Sequence, residues 1–221
     1  MIGVKMIQGD FERVSESKLT ARRRRRRRRR SRAFLGSERT DMCRWVPVLQ
    51  TPDGAVFESN AIARCVSHLK ADNPLNGSSL IEYAQIEQWI DFSTLEPDVH
   101  ILTWLQPRIG RADYIKPVEE AAIAAVKRAL EALNTHLASR TYLVGHAVTL
   151  ADIVLTCNLQ LGFTLLLTKS FTSEYPHVER YFWTMVNQPN YLKVIGEVKQ
   201  TEAIPPIQST KKPAQLKDCK T

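Results

Sequence analysis

The chain has no long hydrophobic run. Nothing in its 221 residues approaches the ~18 consecutive apolar residues of a membrane-spanning helix, and the N-terminus lacks the apolar core of a secretory signal. Cysteine is scarce and scattered, at Cys43, Cys65, Cys157 and Cys219. No Cys-x-x-Cys occurs, and no cysteine pairs with histidine at ligand spacing. A disulfide framework, a dithiol redox pair and a structural zinc site are thereby excluded, no metal is expected, and a reducing cytosol fits best. The histidines are equally dispersed, and His68, His136 and His177 read as surface or interface residues. There is no phosphate-cradling glycine loop, no Ser-His-Asp arrangement and no internal repeat.

Acidic residues are what the first 45 positions have little of. They hold 15 Lys/Arg against 5 Asp/Glu, while residues 46–221 hold 16 against 18. The net charge of +8 therefore belongs to one segment, and the remainder is near neutral. Arg22 through Arg30 is an unbroken arginine run, with Arg32 just after. Like charges at that density repel and bury nothing, which predicts disorder. Three readings stand side by side. The run is a basic arm for nuclear import or RNA, confined to Arg22–Arg32; it is a transit segment, against which Asp10, Glu12 and Glu16 argue; or it is low-complexity sequence joined by a gene-model or splicing accident.

Beyond it, alternation and turn chemistry take over. Val46-Pro47-Val48-Leu49-Gln50 reads as a strand. Thr51-Pro52-Asp53-Gly54 reads as a turn, in which proline presets φ and glycine accepts positive φ. Ala55-Val56-Phe57 is the return strand. Ser59 is expected to cap a helix from Asn60 to about Leu69, with Ile62, Ala63, Val66 and Leu69 on one face. Residues 73–79 are a linker by composition. A helix is then expected from about Leu80 to Glu96, with Pro97, Pro107 and Gly110 breaking the next stretch. Pro117 suits the first position of a helix carrying Val118, Ala122, Ala125, Val126, Ala129, Leu130, Leu133 and Leu137 at helical spacing. Segments from His177 to Asn187 and from Tyr191 to Val198 close the helical part. The tail from Thr201 is rich in Pro, Lys and Thr and is expected to be disordered. Trp89 and Trp104 are expected in the core or an interdomain cleft.

The strongest local signal is Gly145-His-Ala-Val-Thr149-Leu-Ala-Asp152-Ile153. Thr149 and Asp152 have capping-box spacing, and Val148 with Ile153 can close as a hydrophobic staple. The residues behind them are apolar nearly all round, which marks a buried helix. Cys157, inside it, is expected to be a small core residue. Asp152 is a buried structural cap on this reading, not an acid–base group.

A hairpin with Val46-Pro47, then Glu58-Ser59, a helix, a linker and a helical domain with Gly145-x-x-x-Thr149-x-Ala-Asp152 resembles the glutathione transferase superfamily. Within it, the stretches 57–64, 141–152 and 175–190 resemble the gamma-subunit family of eukaryotic translation elongation factor 1. The likeness covers roughly Trp45 to Gln200. It implies an α+β, mainly α chain: an Arg-rich segment over 1–45, a thioredoxin-like remnant over 46–72, the linker, an all-helical transferase-like domain over 80–200, and the tail over 201–221. By resemblance, Pro47 is the cis-proline that turns Val46 toward the glutathione backbone. Glu58 and Ser59 match the pair that holds its γ-glutamyl end. The catalytic Tyr, Ser or Cys of a transferase comes from a strand-to-helix region that has no counterpart here, and Cys43 lies in the wrong segment. The implied function is a noncatalytic scaffold of the elongation factor 1 complex in the cytoplasm, docking nucleotide-exchange subunits. Aminoacyl-tRNA synthetases and a second copy of the chain are further implied partners. No cofactor is required beyond residual glutathione binding, and a glutathione transferase is the alternative.

Overall fold

A computed structural model of the chain describes residues 47–71 and 73–208. Val46, Cys43, Cys219 and the arginine run lie outside them. Two short strands, β1 (Val48–Thr51) and β2 (Gly54–Phe57), pair antiparallel with Val48 opposite Phe57 and Thr51 opposite Gly54. Pro52 and Asp53 form the two-residue loop, and Gly54 takes φ 141°, which a side chain would strain. The Thr51 hydroxyl donates to the Gly54 carbonyl at 2.7 Å and closes the turn.

Helix α1 (Ser59–Ser67) comes next. It buries Ile62, Ala63 and Ser67, whereas Val66 is half-buried and Leu69 lies past the helix in the open. The linker is anchored rather than loose. Asn73 and Asn76 both donate to the Ser67 carbonyl, at 2.9 and 3.3 Å, and so serve the C-terminal end of α1. Ser79 then caps α2 (Leu80–Ser93), accepting from the Glu82 N–H at 3.2 Å.

The expected break at Pro97 does not occur. A π-helical turn over Thr94–Asp98 takes the proline in, and α3 (Val99–Leu105) continues from it. A π turn shifts the backbone ladder, so the missing proline N–H costs less than in a regular helix. The breaks expected at Pro107 and Gly110 do occur, as a 3₁₀ turn over Gln106–Ile109 and as Gly110 with φ 65°. Helix α4 (Lys116–Leu137) carries Pro117 as its second residue and buries the whole predicted face except Val118, which stays exposed.

Helix α5 (Leu150–Leu165) runs through the middle of the bundle, fully burying Leu150 to Thr156, Leu159, Gly162 and Phe163, with Leu161 and Leu165 half-buried. A short α6 (Lys169–Thr172), then α7 (Pro176–Val186) and α8 (Pro189–Ile195), complete the bundle. Phe163 of α5 stacks on Phe182 of α7 with ring centroids 3.8 Å apart. Trp104 is buried in this core, while Trp89 sits at its margin against His136. Of the expected tail, Thr201 and Gln208 are hydrogen-bonded to the bundle, while most residues between them are exposed. Among the described residues no helix is long and apolar enough to cross a membrane.

Candidate functional site

The junction of β2 with α1 holds the residues that the sequence pointed to. Glu58 takes φ 69°, and among the described residues it alone does so without being glycine. Backbone strain of this kind marks sites where geometry serves a ligand or a tight connection. Glu58, not Ser59, occupies the cap position, and no side chain caps α1. This corrects the expected capping role of Ser59. The helix gets its start from the Glu58 carbonyl, which accepts the Ile62 N–H at 2.9 Å. The half-buried Ser59 hydroxyl and exposed Glu58 carboxylate make no hydrogen bond to another described residue. Pro47 sits half-buried just before β1. The first-turn N–H groups of α1 have no acceptor within the helix, as helix geometry requires.

The junction is held against α2 and the π turn that follows it by polar links. Asn60 donates from its amide to the Thr94 hydroxyl at 2.9 Å. The Arg64 guanidinium reaches the Glu87 carboxylate at 2.6 Å and Asp91 at 3.6 Å. These links are long-range and invisible as local motifs. They set the Glu58–Ser59 corner beside the π turn. Within that turn Asp98 is half-buried, and burial pushes its carboxyl above the ordinary range. The arrangement can receive an anion at the α1 N-terminus and a cation at Glu58. Metal-ligating clusters are absent among the described residues. The region in which a thiolate-stabilising group would stand falls outside them.

Asp152 is a second, structural centre. Its carboxylate is completely buried and accepts from the Leu143 and Thr149 N–H groups at 2.9 and 2.8 Å. It also takes the Thr149 hydroxyl at 2.8 Å and the Tyr181 hydroxyl at 3.1 Å. Burial pushes this carboxyl up, and the four donors pull it back. The capping box is thus also the joint between the loop before α5, α5 itself and α7. Cys157 is half-buried as a residue, but desolvation pushes its thiol up to about 12. Two open clefts of about 530 and 480 Å³ flank the Gly145-His146 loop. Neither includes Pro47, Glu58 or Ser59 in its lining.

A bundle of this topology behind a β-hairpin and helix defines a glutathione transferase-like protein. The description "Glutathione S-transferase, C-terminal domain" matches residues 98–189. The glutathione S-transferase-I solved with lactoylglutathione superposes with a TM-score of 0.59 at 24% identity, covering 67% of this chain and 73% of that one. Within this class the chain belongs to the elongation factor 1-gamma family. It is 69% identical over 176 residues to an elongation factor 1-gamma of Prunus avium, covering 80% of this chain and 42% of that protein. The corresponding protein of Carassius auratus is 42% identical over 158 residues, 71% of this chain and 35% of its own length. The GST-like domain of elongation factor 1-gamma from Saccharomyces cerevisiae shares the fold with a TM-score of 0.68 at 24% identity, over 77% of this chain and 80% of that one. The chain spans about two fifths of the length of the Prunus relative.

Proposed function

We propose that this chain is a noncatalytic scaffold of the translation elongation factor 1 complex, acting in the cytoplasm and docking nucleotide-exchange subunits. The observation that carries this reading is the 69% identity to an elongation factor 1-gamma across 80% of the chain. A well-packed helical bundle supports it physically, because a rigid core presents a fixed surface without any need for a reactive group. Aminoacyl-tRNA synthetases and a second copy of the chain are further candidate partners. Pull-down of the exchange subunit by the full chain tests the proposal. Retention of the exchange subunit is the expected result. A folded chain that fails to retain it would falsify the scaffold reading.

A second reading rests on the Glu58–Ser59 corner. The strained backbone of Glu58 and the uncommitted Ser59 hydroxyl suit the γ-glutamyl end of glutathione. Glutathione binding without turnover is expected on this basis. Titration calorimetry with the full chain and with Ser59→Ala checks it. Equal heats in both proteins would remove Ser59 from the site.

A further inference from the structure

Helix α5 ends inside the protein. Phe163, Leu166 and Leu167 are completely buried there, so water cannot serve their carbonyls, at the helix end where carbonyls are left unpaired. Gly162 is satisfied locally, by the N–H groups of Leu166 and Leu167, both at 2.8 Å. The Phe163 and Leu167 carbonyls are not. Both are met by a segment more than thirty residues later in the chain. The Thr201 N–H donates to the Phe163 carbonyl at 3.0 Å, and the Gln200 amide donates to the Leu167 carbonyl at 2.8 Å. The same Gln200 nitrogen lies 3.0 Å from the hydroxyl of Thr172, itself almost fully buried.

The segment then continues to a second helix end. The Gln208 N–H donates at 3.1 Å to the carbonyl of Pro107, in the 3₁₀ turn that closes α3. Seven residues in extended form reach up to ~25 Å, and the stretch between the anchors suits that form. Ile204-Pro205-Pro206-Ile207 has two fixed φ angles and two missing donors, so it holds an extended path with little entropy to lose and few N–H groups to satisfy. Val198, ahead of the first anchor, packs against the core.

We propose that residues 198–208 are a strap that caps the C-terminus of α5 and the 3₁₀ turn after α3, with Gln200 as its latch. The folded unit thereby extends past the last helix to Gln208, which lies beside the 3₁₀ turn after α3. The matched domain description stops at residue 189, and the strap lies wholly beyond it.

The test uses the full chain. Gln200→Ala leaves the buried Leu167 carbonyl without its donor and is expected to lower Tm by roughly 3–8 °C. Gln200→Glu keeps the length, lacks the donor and is expected to lose at least as much. Glu202→Ala, on the exposed side of the strap, is the control and leaves Tm unchanged. Amide exchange supplies a readout that does not depend on any variant folding. The Thr201 and Gln208 amides are expected to exchange at least ~100-fold more slowly than free peptide. Free-peptide rates at both amides, or an unchanged Tm in Gln200→Ala, overturn the strap.

Discussion

The hairpin with α1 and the helical bundle are joined in one chain but stand on different physical footings. The hairpin buries one strand residue, Leu49, and two strands alone are marginal in water. What holds this part is α1, which buries Ile62 and Ala63, grips α2 through Arg64 and grips the π turn after it through Asn60. The bundle instead buries most of α5 and stacks an aromatic ring of α7 on it. A site can thus sit on the weaker region while the stronger one supports it. Glu58 and Ser59 lie at the hairpin's edge, and their position depends on links to α2.

The bundle's polar joint should be the most sensitive point. Asp152→Ala would strand the Leu143 and Thr149 N–H groups in a dry interior and leave the Tyr181 hydroxyl only its longer bond, 3.4 Å, to the Asp152 carbonyl. A loss of about 4 kcal/mol is expected, measured by urea denaturation; a loss below ~1 kcal/mol would show that the joint is not needed. Phe163→Ala removes a fully buried stacked ring and should cost about 3–5 kcal/mol in the same measurement. Leu49→Ala probes the other region. It should shift global unfolding by less than about 1 kcal/mol, because the hairpin opens before the bundle does. A shift as large as that of Phe163→Ala would erase the contrast between the regions.

Milder changes refine the contrast. Arg64→Ala breaks a partly shielded ion pair and should cost about 1 kcal/mol. It should also speed amide exchange in α1 while leaving α5 unchanged. Equal acceleration in both helices would mean that they open together. Cysteine labelling offers the gentlest probe. Cys65 lies half-exposed on α1, whereas the Cys157 thiol is pushed up to about 12 by burial. In a Cys43→Ser, Cys219→Ser background at pH 8, iodoacetamide should reach Cys65 first and Cys157 only as the bundle opens. Simultaneous modification of both cysteines contradicts this order.

Much of the bundle is legible in the sequence because burial leaves a period there. Ala122, Ala125, Val126, Ala129, Leu130, Leu133 and Leu137 mark one helical face, and all are buried in α4. Thr149 and Asp152 announce their cap by spacing. Ser79 and Glu82 carry the same spacing but are masked by a linker-like composition, although Ser79 does cap α2. Pro97 departs from the local rule that makes proline a breaker, because a π turn between packed neighbours accommodates it. The site is half legible. Glu58 and Ser59 stand out by family likeness, but the displacement of the cap to Glu58 arises from a backbone angle that no spacing encodes.

Neighbouring residues alone dictate the near-neutral, helix-rich body, the turn at Pro52–Gly54, the capped central helix and the family to which the chain belongs. These are local or periodic properties, and the amino-acid order carries them without help from the fold. Which groups meet across the chain is decided by the closed fold: Asn60 with Thr94, Arg64 with Glu87, Tyr181 with Asp152, and Gln200 with the end of α5. Each of those pairs satisfies a polar group that burial would otherwise leave without a partner or helps to set the angle between two elements. That demand arises only once the chain has closed on itself.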